Sequence, residues 1–330
     1  MEMGIPIPDN CCKMSQPIVY DIAITGGGLA GLCLAIQSAK AGHQVILFEK
    51  EIYPFHKVCG EYISLESHDF LQGLGVPFES WNLPIIKKLN ISDVKGRMYS
   101  FNLPLGGFGV SRYKLDEFLY QQALQSGVNI FTDTRVNDIE FANNLFTITT
   151  TAGVYSAKIA AGSFGKRSNL DVKWKRPFTV AKPNKLNNYI GIKYHIKTDA
   201  PADIISLHNF ENGYCGFSKI ENDTYCLCYL TTADNLKKSG QSVSRMEADI
   251  LGKNPNLKAL FSNAEFVYAA PLAISQISFS KKTKVENHIL LLGDAAGMIT
   301  PLCGNGMSMA MHGSKLVFGN VHLFLQAKIT

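Results

Sequence analysis

The chain has no run of about 18 apolar residues, so the sequence offers no membrane-crossing helix. Met1 to Gln16 carries Pro6, Pro8, Asp9 and Asn10 and lacks the apolar stretch of a secretory signal. Residues 1–17 therefore read as a flexible leader. Charge is sparse, 18% of residues, which excludes a disordered or solvating chain. Basic residues exceed acidic ones only 32 to 27, too mild a surplus for a nucleic-acid partner. The densest basic stretch, Lys166 to Arg176, reads as a solvated loop. No Cys-x-x-Cys pair occurs and no Cys/His spacing suits zinc, so no metal is expected. The 8 scattered cysteines read as reduced thiols, with Cys33 as packing, and the expected location is cytoplasmic.

What remains is apolar and rich in glycine. Hydrophobic residues make up 46% of 330, with 28 glycines, several packed into two short segments. Ile18 to Thr25 reads as a buried β-branched strand. The glycines of Gly26 to Gly31 follow it, and Leu32, Ala35, Ile36 and Ala39 recur at helical spacing up to Gly42. Gln44 to Glu49 is a second buried strand, completing one βαβ unit. Leu115, Phe118, Leu119 and Ala123 mark a helix ending near Gly127. Val136 to Phe141, Leu145 to Thr151 and Val154 to Ala160 read as an antiparallel meander. Four further strands are expected at 189–197, 204–210, 214–219 and 224–230. A helix follows at 242–251, a short strand at 288–292, and a last helix from Gly306.

Two glycine segments carry chemistry. In Gly26-x-Gly28-x-x-Gly31, the first glycine permits a tight turn and the second lets a pyrophosphate approach the backbone. The third lets helix and strand pack closely. The helix N-terminus, beginning at Leu29 and Ala30, offers N–H groups and a positive dipole to phosphate. Glu49, with Lys50 after it, ends the second strand, where a carboxylate accepts from ribose hydroxyls. That favours FAD or NAD over NADP. In the second segment, Gly293-Asp294-Ala295-Ala296-Gly297, a strand ends in an aspartate suited to a ribityl hydroxyl. Pro301 and Gly304-Asn305-Gly306-Met307 then open a helix that can face developing negative charge.

With these residues in view, the sequence resembles the FAD-dependent oxidoreductases of the p-hydroxybenzoate hydroxylase-like superfamily, and within them the geranylgeranyl reductase branch. Gly26 to Lys50, Lys57-Val58-Cys59-Gly60-Glu61, and Gly293 to Gly306 carry the likeness. So does Ser111-Arg112 with Leu115, Asp116 and Leu119. The resemblance implies an α/β fold: a Rossmann-like FAD-binding domain with an inserted antiparallel-sheet substrate domain. The expected FAD domain takes 18–75, 105–180 and 281–330; the substrate domain takes 76–104 and 181–280. Gly26, Gly28, Leu29, Ala30, Gly31, Glu49 and Lys50 would hold the ADP half. Arg112 would face phosphates, or else stand as a surface arginine at a helix N-terminus; Gly293 and Asp294 would face the ribityl chain, and Gly304 to Met307 the flavin ring. Two departures stand out. Ala161 takes the place of the hydroxylases' mid-chain aspartate, and the sequence is short for the group.

Catalytic candidates are Cys59, as a redox thiol or as packing, and Glu61, as a proton donor or a helix cap. Cys303 and His56 each have a cofactor reading and a bland one. Gly106-Gly107-Phe108-Gly109 reads as a flexible turn. Tyr214, Phe217, Tyr225 and Tyr229 read as sheet core or as the wall of an apolar pocket. The expected activity is reduction of a carbon–carbon double bond in an apolar isoprenoid- or polyketide-like substrate. The alternatives are a flavin-dependent monooxygenase and a non-catalytic FAD-binding protein. NAD(P)H or another reductant would serve as a transient electron donor. The other expected partners are a small apolar or aromatic substrate and, in passing, a membrane surface. A halogenase would add a Trp-x-Trp-x-Ile-Pro element and a pocket lysine; Trp81 and Trp174 provide no such element.

Overall fold

A computed structural model describes residues 18–182, 184 and 187–329, without the Cys303 side chain. The reading of 1–17, and those of Cys11, Cys12 and the Cys303 thiol, lie outside it. Among the described residues no helix is long and apolar enough to cross a membrane.

The chain folds on two sheets, as the α/β expectation requires. In the first, parallel strands run in the order Ile289–Leu291, Gly153–Gly162, Val19–Thr25, Val45–Phe48 and Asn129–Phe131. The Val136–Ala142 and Leu145–Thr150 hairpin joins this sheet through Gly153–Gly162. Val45–Phe48 is buried at every position, as a central parallel strand demands. Helix Leu29–Lys40 crosses between the first two strands, burying Leu32, Cys33, Ala35 and Ile36. The last helix, Gly306–Leu325, shares its core through Met307, Met311 and Val321. Sequence-distant glycine segments thus meet: a Cβ on Gly293 would lie 3.4 Å from that of Ala30.

The second sheet has nine strands, centred on Tyr189–Lys197, Tyr225–Thr232, Gly213–Lys219 and Ile204–Phe210. It is antiparallel except where Ile204–Phe210 runs parallel to Ile85–Ser92. That strand forms a hairpin with Met98–Gly109. Tyr62–Ser64 pairs with Gly107–Gly109, so the second sheet draws residues from inside the segment 18–75. The flexible-turn reading of Gly106 to Gly109 is corrected here. All four lie in strand Met98–Gly109 and are buried. Glycine is required there because a Cβ on Gly109 would strike the Lys219 carbonyl, and one on Gly107 the Tyr62 ring.

Strand periodicity divides the second sheet's faces. Tyr225, Leu227 and Tyr229 pack with Met246, Leu251 and Leu257 of the covering helices, and Phe217 stacks on Tyr225 at 5.0 Å. Cys228 and Leu230 point the other way, toward the first sheet, and Tyr214, opposite Leu230, does too.

The solvated-loop reading of Lys166 to Arg176 is also corrected. Helix Asn169–Lys173 forms there, opened by a Ser168–Asp171 capping box. Leu170, Asp171 and Arg176 are buried. Arg176 donates to Asp171 at 2.7 Å and to the Ala295 carbonyl at 3.0 Å. Its charge is internal because it braces the turn that carries Asp294.

Candidate functional site

The turn after Val19–Thr25 sets the site. Gly26 has φ +101, and a Cβ there would lie 2.6 Å from the Ser163 carbonyl oxygen. Gly31 faces the Gly26 carbonyl so closely that no Cβ fits. Ser163 Oγ donates to the Gly26 carbonyl at 2.5 Å, and Tyr53 donates to that of Gly27. The segment with Ala161 in the aspartate's place therefore packs against the glycine turn. Helix Leu29–Lys40 has no side-chain cap at Gly28, which leaves its first N–H groups for an external acceptor.

Two cations face that N-terminus. A Cβ on Gly28 would lie 3.6 Å from Lys57 Nζ and 3.9 Å from Arg112 Nη2. Asp116 orients both: Arg112 donates to it at 2.7 and 2.6 Å, and Lys57 lies 3.2 Å away. One carboxylate against two cations leaves net positive charge beside the helix N-terminus. Burial lifts the Asp116 carboxyl, but Arg112 and Lys57 overcome it and hold its pKa below the ordinary value. Glu49 is buried and accepts from Gly27 N–H at 2.7 Å and Glu51 N–H at 3.1 Å. A gap at Gly28, a cation pair and an uncapped helix start fit the pyrophosphate of a dinucleotide; Glu49 fits its ribose.

A cavity of about 980 Å³ runs from here to the second sheet. Every site residue expected from the sequence lines it except Gly31, which is buried beneath: Gly26, Gly28, Leu29, Ala30, Glu49, Lys50, Cys59, Glu61, Arg112, Gly293, Asp294, Gly304, Asn305, Gly306 and Met307. Burial raises the Asp294 carboxyl above its usual pKa, against the pull of Lys282 and Arg112. Lys282 donates to the Asp294 carbonyl at 2.7 Å, and burial brings its ammonium down to about 8. At the far end the wall is uncharged: Leu89, Leu103, Ile205, Leu207, Tyr214, Gly216, Cys228, Leu230 and Ile274.

Between the two ends stands a charged cluster that the sequence did not reveal. Glu61 has no exposed side-chain surface. It accepts from Lys193, from His195 at 2.6 Å and from the Arg112 backbone N–H at 2.8 Å. The helix it caps is Arg112–Gln125 and not the one that follows it. Burial pushes its pKa up, but the His195 hydrogen bond and the Lys193 charge outweigh that and hold it low. With both oxygens engaged, Glu61 positions other groups. Lys193 and His195 share one strand face, two residues apart; an inward-facing charge pair in an otherwise apolar strand was the available signal. Cys59 lies 3.6 Å from Met307 Sδ, and burial raises its thiol pKa. His56 stands at the rim, 3.0 Å from the Tyr268 hydroxyl.

The FAD binding domain family matches residues 21–54, the βαβ unit with its glycine turn. Over 339 residues the chain is 26% identical to conditioned medium factor receptor 1 of Dictyostelium discoideum, covering 90% of this chain and 62% of that one. It is 23% identical over 316 residues to a digeranylgeranylglycerophospholipid reductase of Methanothermobacter thermautotrophicus, covering 90% and 75%. Among solved structures, a flavin-dependent brominase superposes with TM-score 0.78 at 20% identity, covering 94% of this chain and 80% of that one. The chain thus spans less than two thirds of the Dictyostelium relative's length. The fold is one that the chain shares with flavin-dependent enzymes of known structure, and its βαβ unit matches an FAD binding domain. A halogenase of Armillaria mellea and the reductase match the sequence about equally, at 22% and 23% identity, so the expected geranylgeranyl reductase branch is not singled out.

Proposed function

We propose that the chain is an FAD-dependent oxidoreductase that reduces a carbon–carbon double bond in an apolar substrate held against the second sheet. One observation carries this reading. A single cavity joins a cationic, glycine-lined end to a wall without a charged side chain. Gly26 to Gly31, Lys57 and Arg112 would hold the FAD pyrophosphate, Glu49 the adenosine ribose and Asp294 the ribityl chain. FAD held there would supply two-electron redox chemistry, with NAD(P)H or another reductant as the source of the electrons. The sheet wall binds hydrocarbon by excluding water and orients it toward Gly304 to Met307. Among the described residues that line the cavity the lysines are Lys50, Lys57 and Lys166, and the uncharged sheet wall carries none of them.

The test has two stages. The purified chain should take up FAD and absorb near the flavin band, and NADH or NADPH should bleach it without oxygen. Products from polyunsaturated apolar substrates should then gain two hydrogens. Gain of one oxygen atom would replace this reading with a monooxygenase. Failure to bind FAD would remove it altogether.

A further inference from the structure

We propose that the hairpin of Ile85–Ser92 and Met98–Gly109 docks on an anionic lipid surface, from which apolar substrate enters the cavity. The inference rests on the apolar-substrate reading above. Six large apolar side chains stand exposed on this hairpin: Ile85, Val94, Met98, Tyr99, Phe101 and Leu105, at 42–57%. Surface hydrophobics are ordinarily scattered singly, and a concentration marks an interaction surface.

The pairing register ties this patch to the cavity. Tyr99 lies opposite Ile91 and Phe101 opposite Leu89. On the other side, Leu89 lies opposite Ile205 and Ile91 opposite Leu207. Side chains paired across a ladder share one face, and Leu89, Ile205 and Leu207 line the cavity. Phe101 and Tyr99 therefore continue the cavity wall outward into solvent. Hydrocarbon can follow one apolar track from outside to inside.

Charge selects the occupant. The hairpin carries Lys87, Lys88, Lys95 and Arg97. Lys88 is paired with Asp203 at 3.4 Å and Arg97 with Asp93 at 2.7 Å. Among the described residues no acid pairs with Lys87 or Lys95. An apron of Tyr and Phe rimmed by surplus cations is complementary to acyl chains beneath anionic headgroups.

The experiment is co-sedimentation of the FAD-loaded full chain with phosphatidylcholine vesicles, alone or mixed with phosphatidylglycerol. Binding should be about tenfold stronger to the mixed vesicles. The double variant Tyr99→Asp/Phe101→Asp should abolish it, with the circular dichroism and flavin spectra unchanged. Lys87→Glu/Lys95→Glu should remove only the preference for mixed vesicles. Absence of vesicle binding, or binding that ignores these substitutions, would overturn the proposal. So would self-association of the chain that the aspartates dissolve, since a second copy would then own the face. The two readings fail separately. Vesicle binding without turnover condemns only the substrate reading. Turnover of detergent-dispersed substrate without vesicle binding condemns only the docking.

Discussion

His195 Nε2 lies 2.6 Å from Glu61 Oε2, and this contact joins the second sheet to the loop that starts helix Arg112–Gln125. The same carboxylate neutralises Lys193, whose side chain is 1% exposed. Removing one member of a buried pair strands the other charge, at about 3–5 kcal/mol. Glu61→Gln should lower stability by that order in urea unfolding, and adding Lys193→Met should recover most of the loss. Because the folded pKa of Glu61 is depressed, its contribution is complete at neutral pH. It is lost as pH falls below the ordinary carboxylate value.

Gly28 and Gly31 should separate binding from folding. A Cβ on Gly31 meets the Gly26 carbonyl and Ser163 Oγ, so Gly31→Ala should cost about 1–3 kcal/mol through overpacking. A Cβ on Gly28 meets only Lys57 and Arg112, at 3.6 and 3.9 Å. Gly28→Ala should keep its unfolding midpoint while FAD affinity, followed by quenching of flavin fluorescence, falls about tenfold or more.

Cys59 offers a sharp negative expectation. Its thiol, pushed up by burial, stays protonated at neutral pH and is a poor nucleophile. Cys59→Ala should keep turnover within about twofold. Loss of turnover with FAD still bound would restore the redox reading.

His208 sets an acid limit on stability. Burial lowers its pKa from 6.5 to about 4, and its Nδ1 lies 2.9 Å from Ser92 Oγ. A histidine with a lower pKa folded than unfolded costs nothing above 6.5, and its penalty grows as pH falls toward 4. Over that window the cost reaches about 3 kcal/mol. His208→Gln should flatten the dependence of the urea midpoint on pH there.

What the sequence made legible was whatever backbone geometry enforces locally. Gly26, Gly28 and Gly31 announce a turn that excludes Cβ atoms, and Val45 to Phe48 announces a strand buried on both faces. The same logic misled at Gly106 to Gly109, where glycine serves close approach of the Lys219 backbone inside a strand and not a change of direction. Lys166 to Arg176 misled because charge reads as solvation until its partners are known, and Arg176's lie on Asp171, Thr283 and Ala295. The Glu61 cluster was legible only in part. Lys193 and His195, two apart in an otherwise apolar strand, signal a buried polar partner, but that the partner is Glu61 follows from contacts between segments more than a hundred positions apart, which no local pattern encodes.

The meeting of the two glycine segments bears on how the chain is made. Strand Ile289–Leu291 pairs beside Gly153–Gly162, and helix Gly306–Leu325 fills the core over Leu32 and Ile36. The first βαβ unit leaves the ribosome well before residues 289–325, and it cannot bury that face until they follow. Its apolar helix waits until that distant segment is made, a long-range closure that slows folding and invites chaperones.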